Sequence, residues 1–97
     1  MTMDKTHKNI EYAETIALQA LEFLLGDEEL KAEFLSISGL SAQDITDGFN
    51  NPEFLGGVLD FLLQNELALI AFCDRVGIKP EEPLRQRYSL PGANYDY

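Results

Sequence analysis

The chain has 97 residues and a formal net charge of −10, and Leu, Ile, Val and Phe account for 29 of its residues. That share, about 30 %, exceeds the roughly 20 % below which chains tend to stay disordered, so we expect one folded domain. Thirteen acidic residues and one base, Lys31, lie between Asn9 and Asp74. Because so acidic a surface repels phosphate, nucleic acid is disfavoured as a partner.

Cysteine content and hydropathy indicate the cellular compartment in which the protein is expected. Cys73 is the single cysteine, which excludes an intramolecular disulfide and a Cys/His zinc site. The polar N-terminal residues contain no apolar signal region, and no apolar run reaches the roughly 18 residues of a membrane span. We therefore expect a cytoplasmic protein with no membrane contact.

In chain order, the pattern predicts a flexible leader over residues 1–8, a helical core over residues 10–88 and a flexible tail over residues 89–97. Apolar residues at helical spacing begin at Ile10 and predict a first helix that ends at Leu25. Residues 1–97 are therefore expected to form a single helical domain.

Capping residues mark the remaining helices. Asp27 is a typical N-cap for a second helix, and Gly39 is placed to end that helix in a left-handed conformation. The other expected N-caps are Ser41 for a short third helix, Asn51 before Pro52 for a fourth, and Asn65 for a fifth that Gly77 ends. A weaker sixth helix is expected from about Pro80 to Tyr88.

The chain matches itself at an offset of 38 residues without a gap. Residues 20–44 read ALEFLLGDEELKAEFLSISGLSAQD, and residues 58–82 read VLDFLLQNELALIAFCDRVGIKPEE. The identical pairs include Phe23/Phe61, Phe34/Phe72 and Gly39/Gly77. Each copy therefore predicts the same unit of helix, tight turn, helix and glycine stop.

These patterns predict an all-α fold, a compact bundle of five to six short helices. Its two helical-hairpin units, residues 20–44 and 58–82, are expected to form a pseudo-twofold repeat with Phe23, Phe34, Phe61 and Phe72 near the middle. The second copy replaces Glu29, Lys31 and Glu33 with Leu67, Leu69 and Ala71. This apolar run predicts that the fifth helix is the buried centre and that the second faces solvent.

Side chains with catalytic or metal-binding chemistry are sparse. The single histidine, His7, lies in the polar leader, where we expect it to be solvated, and a His-based triad has no second member. Cys73 lies in an apolar helix, which indicates core packing. Taking Gly48 as the sixth position of a calcium loop puts Ile45 third, where an oxygen ligand is required. We expect no enzymatic activity, catalytic residue, metal or cofactor, and we expect Gly56-Gly57 to allow close helix approach.

A DNA-binding interpretation is the alternative. Residues 33–49 have the outline of a helix-turn-helix, with Gly39 in the turn and Ile45 in the second helix. The second helix carries Asp44 and Asp47 and no base, whereas contact with guanine or phosphate needs Arg or Lys. A DNA-associated regulator is therefore the second hypothesis, and nucleic acid is the less favoured partner.

The leading functional hypothesis rests on apolar residues that we expect to remain exposed at the surface. Large apolar residues lie around most of the circumference of the first and fourth helices. A domain of this size is not expected to bury all of these faces, and an apolar patch left exposed usually marks an interface. We therefore predict a non-enzymatic protein–protein interaction or self-association module whose partner is an unknown protein or a second copy. The candidate interface residues are Tyr12, Leu18, Leu25, Leu55 and Leu63. For the tail residues Tyr95 and Tyr97, a disordered end is favoured over a docking peptide.

Four segments of the chain resemble a family of small uncharacterised bacterial proteins known only as a domain of unknown function. They are ALEFLLGDEEL, FLSISGL, PEFLGGVLDFLLQNE and VGIKPEE. The resemblance covers roughly residues 16–90 and leaves out residues 94–97. It implies a helical, cytoplasmic, bacterial protein and brings with it no activity, cofactor or site residue.

Overall fold

The computed structural model describes residues 2–92, with side chains from residue 10 onward. Its elements are α1 (Thr2–Leu25), α2 (Glu28–Ser38), α3 (Ala42–Gly48), α4 (Pro52–Gln64), α5 (Glu66–Val76) and α6 (Glu81–Arg87). Over this range there is no strand, which confirms the all-α bundle. Helix α1 begins at Thr2, eight residues before Ile10, where the apolar spacing predicts its start. The predictions for the side chain of His7 and for Tyr95 and Tyr97 lie outside the described part of the chain.

The two repeat copies use the same hydrogen bonds to begin and end their second helices. The Asp27 carboxylate accepts a hydrogen bond from the Leu30 N–H at 3.0 Å, and the Asn65 amide oxygen accepts one from the Ala68 N–H at 3.2 Å. Gly39 and Gly77 end α2 and α5 with φ of 71° and 79°, which a side chain would strain. Local sequence thus determines both helices at positions 38 residues apart.

Aromatic pairs show how the two copies pack together. The rings of Phe23 and Phe72 lie 5.7 Å apart between centroids, and those of Phe34 and Phe61 lie 5.3 Å apart. Exchanging the two copies turns the first pair into the second, because Phe23 is equivalent to Phe61 and Phe72 is equivalent to Phe34. Each pair therefore joins the first helix of one copy to the second helix of the other. This exchange of ring contacts agrees with the predicted pseudo-twofold packing of the two hairpins.

Helix α4, packed against α1, provides much of the centre of the core. Five of its residues are buried: Leu55, Gly56, Val58, Leu59 and Leu62. The prediction that α5 is the buried centre is wrong, because α5 buries Ala68, Phe72 and Cys73 and leaves Leu67 and Ile70 exposed. Among the well-packed helix pairs, α5 packs only against α4, whereas α4 packs against α1, α5 and α6, so the apolar run of α5 reaches the surface.

A buried arginine fixes the residues that follow α6. Arg87 donates from Nε and Nη2 to the two carboxylate oxygens of Asp60 at 2.7 and 3.0 Å. Its Nη1 donates to the carbonyl oxygens of Leu90 and Pro91 at 3.1 and 3.0 Å. The sequence placed Leu90 in a flexible tail, but its side chain is 2 % exposed. The ordered core therefore extends through these contacts beyond residue 88.

Gly56 makes room for this arginine. A Cβ atom at Gly56 would lie 3.0 Å from Cζ of Arg87 and 3.0 Å from the carbonyl oxygen of Pro91, whereas one at Gly57 would meet nothing within 4 Å. The glycine pair was expected to allow a close helix approach. In the structure, one glycine of the pair admits a guanidinium group and a carbonyl instead.

Helix length and composition also bear on membrane spanning. In the part of the chain that the structure covers, no single helix is both long and apolar enough to cross a membrane. Helices α4 and α5 pass that test only when taken together, and they are bent by 111° at Asn65.

Candidate protein-binding surface

The two most exposed large apolar side chains of the described residues lie on α5 and α2. Leu67, in the first turn of α5, is 82 % exposed, and Ile37, in the last turn of α2, is 71 % exposed. Isolated exposed apolar residues are ordinary, but these two border the same depression. They are therefore the starting point for a candidate site.

A groove runs between α2 and α5. It consists of two adjoining depressions of about 800 and 400 Å³, which share Glu33, Asn65 and Leu67. We call it the α2–α5 groove. The apolar residues that line it are Phe23, Leu30, Ala32, Ile37, Phe61, Leu67, Ala68 and Ala71. Phe23 and Phe61 belong to the two aromatic pairs, so the groove lies over the junction of the repeat copies.

Carboxylates provide the charge at this groove. Asp27, Glu29, Glu33 and Glu66 line it, and none of its described lining residues is a lysine or an arginine. Asp27 has a structural role as the N-cap of α2, and Glu66 lies in the first turn of α5, where an acid favours the helix dipole. Glu29 and Glu33 lie one turn apart on the exposed side of α2. The groove is thus apolar with an acidic border.

The repeat shows what is unusual about the two exposed residues. Leu67 occupies the position that Glu29 has in the first copy, and Ile37 occupies the position that Arg75 has in the second. Arg75 lies over the ring of Phe23, with Cζ 6.0 Å from the ring centroid. Each of the two apolar residues therefore stands where the matching copy has a charged side chain.

The residues predicted for the interface do not form one surface. Leu55 is 1 % exposed, so its prediction as an interface residue is wrong; it faces the core because α4 is covered by neighbouring helices. Leu18 and Leu25 line a second groove of about 660 Å³ together with Phe49, between α1 and the end of α3. Tyr12 is exposed and Leu63 half-buried, and neither lines the α2–α5 groove.

Sequence reasoning missed Ile37 and Leu67, although the sequence held a signal for both. The 38-residue offset aligns each with a charged residue, and an apolar residue at a position whose repeat equivalent is charged indicates a solvent-accessible site. The replacement of Glu29 by Leu67 was interpreted as burial, because an apolar run has the same appearance in a core helix and in an interface.

Groups capable of covalent or metal chemistry lie elsewhere or have other partners. Burial raises the pKa of the Cys73 thiol, and the nearby Glu81 carboxylate raises it further. Cys73 therefore stays a protonated thiol at neutral pH and is a poor nucleophile. Over the described range, no three His, Cys, Asp or Glu side chains come together in a way that could hold a metal ion.

The helix-turn-helix-like segment presents acidic and amide groups. On α3, the Gln43 side chain donates to the Asp47 carboxylate at 3.0 Å, and Asp44 completes a capping box with Ser41. The bases of α6 are engaged as well: Arg87 is buried against Asp60, and Arg85 lies 3.4 Å from Glu82. None of these contacts in α3 and α6 favours a phosphate backbone.

One known protein family matches most of the chain. The model of a family described as "Protein of unknown function (DUF3572)" matches residues 10–93, which is most of the chain. The chain belongs to the DUF3572 family. The match confirms the resemblance found in the sequence, and the family description names no activity. Searches of curated proteins and of solved structures found no significant match.

Proposed function

We propose that this DUF3572 domain is a non-enzymatic protein–protein interaction module that binds its partner in the α2–α5 groove. The observation that carries the proposal is the pair of exposed apolar residues, Ile37 and Leu67, on the border of one groove. The composition of the chain and the resemblance favour a cytoplasmic module of a bacterial cell.

The position of Leu67 supports a role outside folding. Leu67 is the second residue of α5, where an acidic side chain stabilises a helix and a leucine does not. At 82 % exposure it recovers little of the free energy that a buried leucine contributes. A glutamate, as at the equivalent Glu29, suits folding at least as well. The leucine is therefore better explained by a contact with another molecule.

Affinity capture with matched variants tests the proposal. The tagged full chain is used as bait in a lysate of its native cell, in parallel with Leu67→Ser, Ile37→Ser and the control Leu84→Ser. Leu84 is 49 % exposed on α6 and does not line the groove. We expect at least one protein to be retained by the wild type and the control and lost from both groove variants.

The contrary result is equally clear. If all four baits, each checked for helicity by circular dichroism, retain the same set of proteins, the α2–α5 groove is not the binding surface. Light scattering on the same samples separates a partner from a second copy, since self-association through the groove would reduce the mass of both groove variants relative to the control.

A further inference from the structure

We infer that the occupant of the α2–α5 groove is a basic amphipathic helix of a partner protein. This inference rests on the proposed function and specifies the chemistry of the partner. Three properties of the groove carry it: its position between two helices, its apolar lining and its acidic border.

The shape and lining of the groove suit a helix. The lining residues of the groove run from Asp27 to Ile37 on the α2 side and from Asn65 to Ala71 on the α5 side, about 15 and 9 Å of helix, so the shorter wall can face about two turns of a third helix. The small side chains of Ala32, Ala68 and Ala71 leave room for an apolar ridge to approach closely. Leu67 lines both depressions and Ile37 lines the smaller one, where both are exposed and can contact anchor residues of a bound helix.

The charge of the groove selects a basic partner. Glu29, Glu33 and Glu66 lie at an otherwise apolar cleft in which the described lining residues include no base. Lysine or arginine beside the apolar stripe of a bound helix would meet these carboxylates at the edge of the contact. Complementary charge of this kind raises the association rate and rejects wrong partners.

The same charge argues against a second copy as the occupant. A twofold contact through this groove would place Glu33 and Glu66 of one copy near the same residues of the other. The two chains would each carry a net charge of −10. Like charges brought together at an interface are unfavourable, so the acidic border disfavours a homodimer.

Designed peptides test the inference directly. The probe is a peptide of about 15 residues with leucine at one helical face and lysine elsewhere. One comparison peptide has the same composition with the leucines distributed around the helix, and another has glutamate in place of lysine. Binding to the ¹⁵N-labelled full chain is measured by fluorescence anisotropy and by NMR shifts of the Ala32 and Ala71 amides.

We expect the Leu/Lys amphipathic peptide to bind and to shift both alanine amides. Leu67→Ser should weaken binding about tenfold or more, because burying a leucine is worth at least that factor. Glu33→Gln with Glu66→Gln should weaken it several-fold at low salt and less at high salt. The controls Leu84→Ser and Glu53→Gln with Glu81→Gln, which remove equivalent groups away from the groove, should change it by less than about twofold.

Several outcomes would overturn the inference. One is equal binding of the Leu/Glu peptide, and another is no binding of any peptide. A third is equal binding of the distributed-leucine peptide with shifts spread over the surface, which would indicate general attraction between opposite charges. The fourth is a dimer of the free chain that Leu67→Ser dissociates, which would identify a second copy as the occupant.

These outcomes separate the inference from the proposed function. A dimer dissociated by Leu67→Ser, or a captured partner whose contact segment is neutral or acidic, would leave the groove as a binding surface and reject the basic helix. Capture that is insensitive to both Ile37 and Leu67 would reject the binding surface itself, whatever the peptides do.

Discussion

At the residue scale, the repeat provides an internal comparison for single positions. Glu29 and Leu67 are the second residues of two helices that begin with equivalent N-caps and end at equivalent glycines. The local backbone is therefore the same, and only the side chain differs. Comparing the two positions therefore separates a side chain that helix formation requires from one that serves another role in a single copy.

This comparison predicts that Leu67→Glu leaves stability unchanged. The leucine is almost fully exposed, and a glutamate near a helix N-terminus is favourable, so the free energy of unfolding should stay within about 0.5 kcal/mol of the wild type. Urea denaturation followed by circular dichroism measures it. A loss of more than about 1 kcal/mol would mean that Leu67 supports the fold and would remove the argument for binding.

At the element scale, the ends of α2 and α5 were predictable, whereas the burial of the helices was not. Asp27, Asn65, Gly39 and Gly77 act within a few residues of their own positions, so the sequence specifies where α2 and α5 begin and end. Whether α4 or α5 occupies the centre depends on contacts between distant segments. Both helices are rich in apolar residues, and that composition gave the wrong choice.

The contacts after α6 show the same limit. Arg87 and Asp60 are 27 residues apart, and no local pattern pairs them. Asp60 and Gly56 lie one turn apart on α4. Gly56 leaves room for the guanidinium group of Arg87, and Asp60 accepts its hydrogen bonds. The α2–α5 groove was missed for a related reason, since it forms only when the two copies are docked.

The two glycines of α4 make a matched pair for a prediction. Gly57→Ala should raise the free energy of unfolding by about 0.5–1 kcal/mol, because alanine is the better helix former and the new methyl group meets nothing. Gly56→Ala should lower it by about 1–3 kcal/mol, because its methyl group would press on the Arg87 guanidinium and the Pro91 carbonyl.

Chemical denaturation of the two alanine variants checks the sign of each change. Hydrogen exchange at the Leu90 amide, which donates to the Arg87 carbonyl oxygen, should accelerate in Gly56→Ala and stay unchanged in Gly57→Ala. Equal stabilisation by both substitutions would show that the guanidinium group moves aside without cost.

At the scale of the whole molecule, the fold depends on contacts between the two copies. Neither aromatic pair lies within one copy: Phe23 meets Phe72, and Phe34 meets Phe61. Each hairpin therefore completes the core of the other, and the groove at their junction exists only in the assembled domain. The two copies differ mainly at the surface, where Ile37 and Leu67 replace charged residues.

Double-mutant cycles on the four phenylalanines test this arrangement. With Phe→Leu substitutions, the coupling free energy between Phe23 and Phe72, and likewise between Phe34 and Phe61, should be about 0.5–1.5 kcal/mol, as expected for tilted and edge-to-face ring contacts. The pair Phe23 and Phe61, which are equivalent under the repeat, should couple more weakly. Equilibrium unfolding in urea supplies each free energy.

Comparing the coupling free energies of the two pairs shows whether the two equivalent ring contacts stabilise the fold equally. Phe72 and Phe34 are both buried, whereas Phe23 has Arg75 over its ring and Phe61 lies beside the exposed Ile37. If the ring contact dominates, the two couplings should agree within about 0.5 kcal/mol. If only the Phe23–Phe72 pair couples, Arg75 is part of the interaction.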